Sequence, residues 1–118
     1  MSEQEQVQLE YSRGDNVDIV IQLVDQNNEP QDLTDYIVFF TVKEKLSDID
    51  TSAKISKTVT VHSNPLAGET TISLSQTDTN LVGSYLFDIQ VKTDNGSIKT
   101  IVPYGLINFL DDITKRIV

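Results

Sequence analysis

The chain has 118 residues, 38% of them apolar and none of them Cys or Trp; this makes one domain with one modest core and excludes disulfides, thiolate metal sites and cysteine nucleophiles. Eighteen acids against nine bases leave a net charge of −9, with no basic cluster to displace counterions from nucleic acid or to hold an anionic membrane. No apolar run reaches membrane-spanning length, and the polar, acidic start Met1–Gln6 is unlike a secretory signal peptide.

In chain order, residues 1–6 read as a flexible tail. Val7, Leu9 and Tyr11 alternate with Gln8 and Glu10, a first short strand. Arg13-Gly14-Asp15-Asn16 interrupts it as a turn or bulge. Val17 to Val24 is a second strand, with Val17, Ile19, Ile21 and Leu23 on one face. Asp25 to Pro30 is a turn, because Asx residues bond their local backbone and Pro ends pairing. Asp32-Leu33-Thr34-Asp35 predicts a tight corner with Leu33 tucked beneath it. Tyr36 to Val42 is apolar on both faces, with Ile37 and Phe39 opposite Tyr36, Val38, Phe40 and Val42; it reads as a central strand or one whose outer face meets another subunit. Lys43–Ala53 shows no clear period, and a short helix and a loop both remain open.

Lys54 to Val61 alternates again, with Ile55, Val59 and Val61 inward and Lys57 breaking that face, as at a sheet edge. His62 to Gly68 is a loop, and Thr70 to Ser75 a strand with Ile72 and Leu74 inward. Gln76 to Val82 is a crossover, one helical turn capped by Asp78 or Thr77. The clearest strand follows, Tyr85, Phe87, Ile89 and Val91 alternating with Ser84, Leu86, Asp88, Gln90 and Lys92. Asp94-Asn95-Gly96 closes it as a hairpin turn. Ser97 to Val102 pairs back, Pro103 predicts a break, and Tyr104 to Leu110 forms a last strand before a flexible tail at 111–118. About seven to nine short strands with regular turn signals argue for one all-β domain over 1–118, an immunoglobulin-like antiparallel β-sandwich.

No constellation carries catalysis. His62, the sole histidine, stands in a turn with no nucleophile elbow or oxyanion hole, and reads as an exposed loop residue. Zinc needs more nitrogen or sulfur ligands than one histidine supplies, and the loop 25–30 lacks the ligand ladder of a calcium site. The acids sit in turns or on outer faces, Asp88 excepted, which lies mid-strand between Phe87 and Ile89. Arg13-Gly14-Asp15 matches an integrin ligand by three residues only. Asn95-Gly96-Ser97 matches a glycosylation acceptor but sits in the hairpin turn. Tyr85, just after Leu81-Val82-Gly83, has the place of a tyrosine corner, its hydroxyl reaching back to the crossover backbone. No catalytic, cofactor-binding or metal residue is therefore assigned, and no cofactor and no enzymatic activity are expected.

Taken together, several pieces resemble bacteriophage tail and baseplate β-sandwich domains, such as the amino-terminal domain of siphophage upper baseplate proteins. Arg13-Gly14-Asp15-Asn16-Val17-Asp18-Ile19 is similar to their RGD-led first strand, and Asn28 to Tyr36 to their "NGxPxDLTGY" corner. Phe40-Thr41-Val42-Lys43 fits "FxVK", and Ala67 to Thr79 with Leu81 to Ile89 resembles "AGxxTIxLTxxDT…LxxGxYxYDI". The resemblance runs over residues 12–110. Asp35 stands where the family often has Gly, Asn28-Glu29 replaces a common Asn-Gly, and the resemblance extends to none of the receptor-binding or fibre regions that often follow in the family. The resemblance implies a phage or prophage virion protein that docks to other tail proteins, possesses no catalytic site and forms a homo-oligomer within a symmetric assembly. It also implies a virion component assembled in the host bacterial cytoplasm, in keeping with a Cys-free chain lacking a signal peptide. The alternative is a carbohydrate- or receptor-binding module, for which Tyr11, Tyr36 and Tyr104 are the rings to test.

Overall fold

The computed structural model describes residues 7–44 and 53–111. The tail expected at 1–6, most of the 111–118 tail and most of the 43–53 segment lie outside the described residues. Among the described residues seven strands form: β1 Gln8–Ser12, β2 Val17–Gln22, β3 Ile37–Lys43, β4 Ile55–Val59, β5 Glu69–Leu74, β6 Gly83–Lys92 and β7 Ile98–Leu110. They make a five-stranded sheet in the order β1-β7-β6-β3-β4 and a two-stranded sheet, β2-β5. The expected all-β sandwich is what forms.

Alternation explains which side chains meet between the sheets. Val17 and Ile19 of β2 and Ile72 and Leu74 of β5 are buried against Val38, Phe40 and Val42 of β3 and Phe87, Ile89 and Val91 of β6. Each such side chain contributes about 1.5–3 kcal/mol by leaving water. The Phe40 and Phe87 rings lie 5.6 Å apart, and Tyr85 meets Phe109 edge-on at 6.0 Å. Two strands cannot roof five, so Leu23, Tyr36 and Leu81 pack on the core from the connections. Gly105 of β7 leaves the space that the Phe87 ring fills, since a Cβ there would strike that ring.

The corner at 32–35 forms as expected. Leu33 is fully buried. The Asp32 carboxylate accepts the Thr34 N–H at 2.9 Å and the Thr34 hydroxyl at 2.6 Å, and Asp35 turns the chain at φ 66°. Tyr85 makes the expected corner bond, its hydroxyl donating to the Val82 carbonyl at 3.0 Å.

Five expectations need correction. Val61 does not continue β4; it is 85% exposed beyond a strand that ends at Val59. The second strand ends at Gln22, after which Val24 makes an isolated bridge to Pro30. The turn at 75–79 is capped by Ser75, whose hydroxyl accepts the Asp78 N–H at 3.2 Å while Asp78 accepts the Ser75 N–H at 2.8 Å, a reciprocal capping box. Pro103 does not end the last strand. Phe87 faces Gly105 and Gln90 faces Thr100, so three steps along β6 match five along β7. The two extra residues are bulges, where a residue without an N–H costs the ladder nothing. Finally, the sandwich is not antiparallel throughout: β1 runs parallel to β7, Gln8 beside Leu106 and Ser12 beside Leu110.

Candidate docking surface

The outer face of the five-stranded sheet is mixed. Ile37 and Phe39 stand on it as expected and are half-buried there, with Leu86 and Leu106. The register sets Phe39 beside Gln90, Ile37 beside Lys92 and Leu86 beside Leu106. Asp88 lies on the same face beside Thr41 and is engaged in an interaction of its own.

The edges differ in how they are protected. On β4, Lys57 points to the inner side and its ammonium meets the Asp78 carboxylate at 2.7 Å, an inward charge that discourages further pairing. Partial burial pushes the Asp78 carboxyl up, but the Lys57 ammonium and the Ser75 N–H and hydroxyl outweigh it and hold the group below the ordinary carboxylate range. The start of β5 is bridged by Asn64 to Glu69. β1 shields β7 and places Glu10 at its own midpoint.

The loops singled out by the sequence are occupied by structural bonds. Arg13 reaches Asn80 Oδ1 at 2.9 Å and Asp111 at 3.4 Å. The Arg13 N–H donates to Leu110 at 2.8 Å, the Gly14 N–H to Thr79 at 3.1 Å, and the buried Thr79 hydroxyl to the Asp15 carbonyl at 2.7 Å. Arg13-Gly14-Asp15 is thus a clasp between β1, the crossover and the end of β7. Asp25 Oδ1 accepts the N–H groups of Asn27 and Glu29 at 2.8 and 3.0 Å, which is a turn. Among the described residues no group of three or more His, Cys, Asp or Glu gathers as a metal site requires. Asn95 Oδ1 accepts the Thr93 hydroxyl at 2.6 Å and the Ser97 N–H at 3.1 Å, closing the hairpin.

His62 is not the exposed loop residue expected. Its ring is half-buried, Nε2 lies 2.7 Å from the Tyr36 carbonyl and Nδ1 2.9 Å from the Thr70 hydroxyl. A carbonyl only accepts, so Nε2 donates to it, and in the neutral ring Nδ1 then accepts from the Thr70 hydroxyl. The imidazole ties the corner before β3 to β5.

The three rings kept for sugar stacking part company. Tyr11 packs against the core, and burial raises its phenol. Tyr104 is half exposed on β7. Tyr36 lines an open groove of about 470 Å³ with Gln26, Asn27, Gln31, Thr93 and Lys99, and its hydroxyl accepts from Gln31 at 3.2 Å.

No family model matches the chain, and no curated protein matches it. Among solved structures, the fold is similar to the N-terminal domain of phage TP901-1 ORF48. That similarity covers 92% of this chain and 85% of the other, at 17% identity and a TM-score of 0.44. Among the described residues no helix is long and apolar enough to cross a membrane, which says nothing of membrane barrels.

Proposed function

We propose that this domain is a structural module of a bacteriophage or prophage tail, at or near the baseplate. It works by docking to other virion proteins and catalyses no reaction. The observation that carries the reading is the corner before β3. The residues that resemble the phage "DLTGY" pattern are the ones the geometry depends on: Asp32 closes the turn, Leu33 is fully buried, and the position where the phage pattern often has Gly has a positive φ, 66° at Asp35. The same holds at Tyr85, whose hydroxyl bond to Val82 uses the pattern's Gly-x-Tyr. The mixed outer face around Ile37 and Phe39 supplies apolar area rimmed by polar side chains, the usual makeup of a protein contact. Rotational symmetry in a tail brings several copies together.

The test is antibody-gold labelling of particles released from a lysogen carrying the gene. Label at the tail tip is the expected result. Expressed protein that is absent from intact particles would overturn the reading. One observation favours a second reading, a saccharide-binding module: Tyr36 shares its groove with three side-chain amides and Lys99. Titration with neutral trisaccharides, followed by amide shifts at Asn27, Gln31 and Lys99, separates the two.

A further inference from the structure

We propose that the free edge of β2 pairs with β2 of a second copy about a two-fold axis at Val20, joining the two small sheets into one of four strands. Among the described residues, β2 hydrogen-bonds only to β5. Among the described residues, no backbone group of Val17–Gln22 bonds to anything outside that ladder. An open row of N–H and C=O groups is a template for another strand, and strand addition is a common recognition mode.

The side chains select the partner and the register. The pleat allows only registers in which outward residues oppose outward residues. About Val20, the register opposes Val20 to Val20 of the partner subunit, and Asp18 to Gln22 of the partner subunit, twice by symmetry. On the inner side, Ile19 opposes Ile21 of the partner subunit. Every pair is then apolar with apolar or carboxylate with amide. Shifting the axis to Asp18 would oppose two carboxylates, which destabilises a pair. Both polar groups have capacity for a further bond. Asp18 Oδ1 takes the Ser73 hydroxyl at 2.8 Å, leaving Oδ2, and Gln22 Nε2 gives one hydrogen to the Ala67 carbonyl at 3.2 Å, leaving a second. Val20 is 61% exposed in the middle of this strand, and pairing covers it.

The edges of β1 and β4 lack this self-complementarity. β1 and β4 have Glu10 and Lys57 at their midpoints, so the same two-fold operation would oppose like charges. Glu69, the first residue of β5, is already bridged by Asn64. A second copy of this chain is therefore the occupant that the β2 edge fits. The inference goes beyond the tail reading, and either can fail alone, because dimerisation is measured on the isolated protein and docking on particles.

The experiment is sedimentation equilibrium of the full chain up to about 1 mM, with Val20→Lys and Gln22→Asp beside the parent. The expected result is a monomer–dimer equilibrium in the parent, weakened at least about tenfold by either substitution. Circular dichroism melts check that both variants stay folded. The chain has no native Cys, so Val20→Cys is expected to form an intermolecular disulfide on oxidation, whereas Val61→Cys, exposed but off the edge, does not. A parent that stays monomeric throughout, or a dimer that survives Val20→Lys unchanged, overturns the proposal.

Discussion

Removing the His62 ring leaves the Thr70 hydroxyl, which is fully buried, without its acceptor and the Tyr36 carbonyl without its donor. His62→Ala is expected to destabilise the domain by about 1–3 kcal/mol, measured as a shift in the urea midpoint with the slope unchanged. Asp35 offers the opposite sign. At φ 66° a side chain costs about 1–2 kcal/mol, while glycine's extra freedom when unfolded costs about 0.5–1 kcal/mol. Asp35→Gly should therefore raise stability by up to about 1 kcal/mol in the same assay; a loss would mean that the Asp35 side chain contributes more than its backbone costs. At this scale the sequence was readable wherever the partner is near in the chain. Leu33 under its corner and Tyr85 to Val82 span only a few residues. His62 was misread because loop composition implies exposure, whereas its partners lie eight and twenty-six residues away.

Among the elements, the crossover at 75–79 and the edge strand β4 are joined by one charge pair, Lys57 with Asp78. Because the folded Asp78 carboxyl lies below its ordinary value, the stabilisation is present above the unfolded pKa. It disappears as pH falls through the lowered folded value, that is, below about pH 4. Lys57→Met should flatten that part of the acid limb and lower stability near neutrality modestly, by the amount no longer lost in acid, since the pair is partly exposed and salt screens it. Urea unfolding at neutral pH and at about pH 3 in low salt checks both parts. Strand phase was legible for β2, β3, β5 and β6, because one buried face imposes period two. The run through Pro103 was not. A proline signals a break from the residue alone, and only the neighbouring strand reveals that it falls among bulges. Which strands are neighbours, and the five-to-two division, are equally invisible to alternation, which gives a strand's face and not its partner.

For the molecule as a whole, β1 is the cover on a long edge. A chain lacking residues 1–12 would expose the Leu106–Leu110 stretch of β7 that β1 covers, with Leu9 and Tyr11 removed from the core they pack against. It is expected to aggregate at concentrations where the parent stays in solution, read by light scattering. The high net charge of −9 opposes such association in the parent. Folding should also be slow for the size, in milliseconds to seconds, because β1 can pair only after β7, some hundred residues later, is in place.

The parallel register of β1 and β7 also decides how the domain bears load. Gln8 lies beside Leu106 and Ser12 beside Leu110, so a tether before β1 and another after β7 pull toward opposite ends of one ladder. Tension then slides the two strands along each other and strains all their hydrogen bonds together, where an antiparallel pair held at one end would open them singly. A chain stretched between neighbours is thus gripped in shear, and the Arg13 contacts with Asn80 and Asp111 sit at the Ser12–Leu110 end of that ladder.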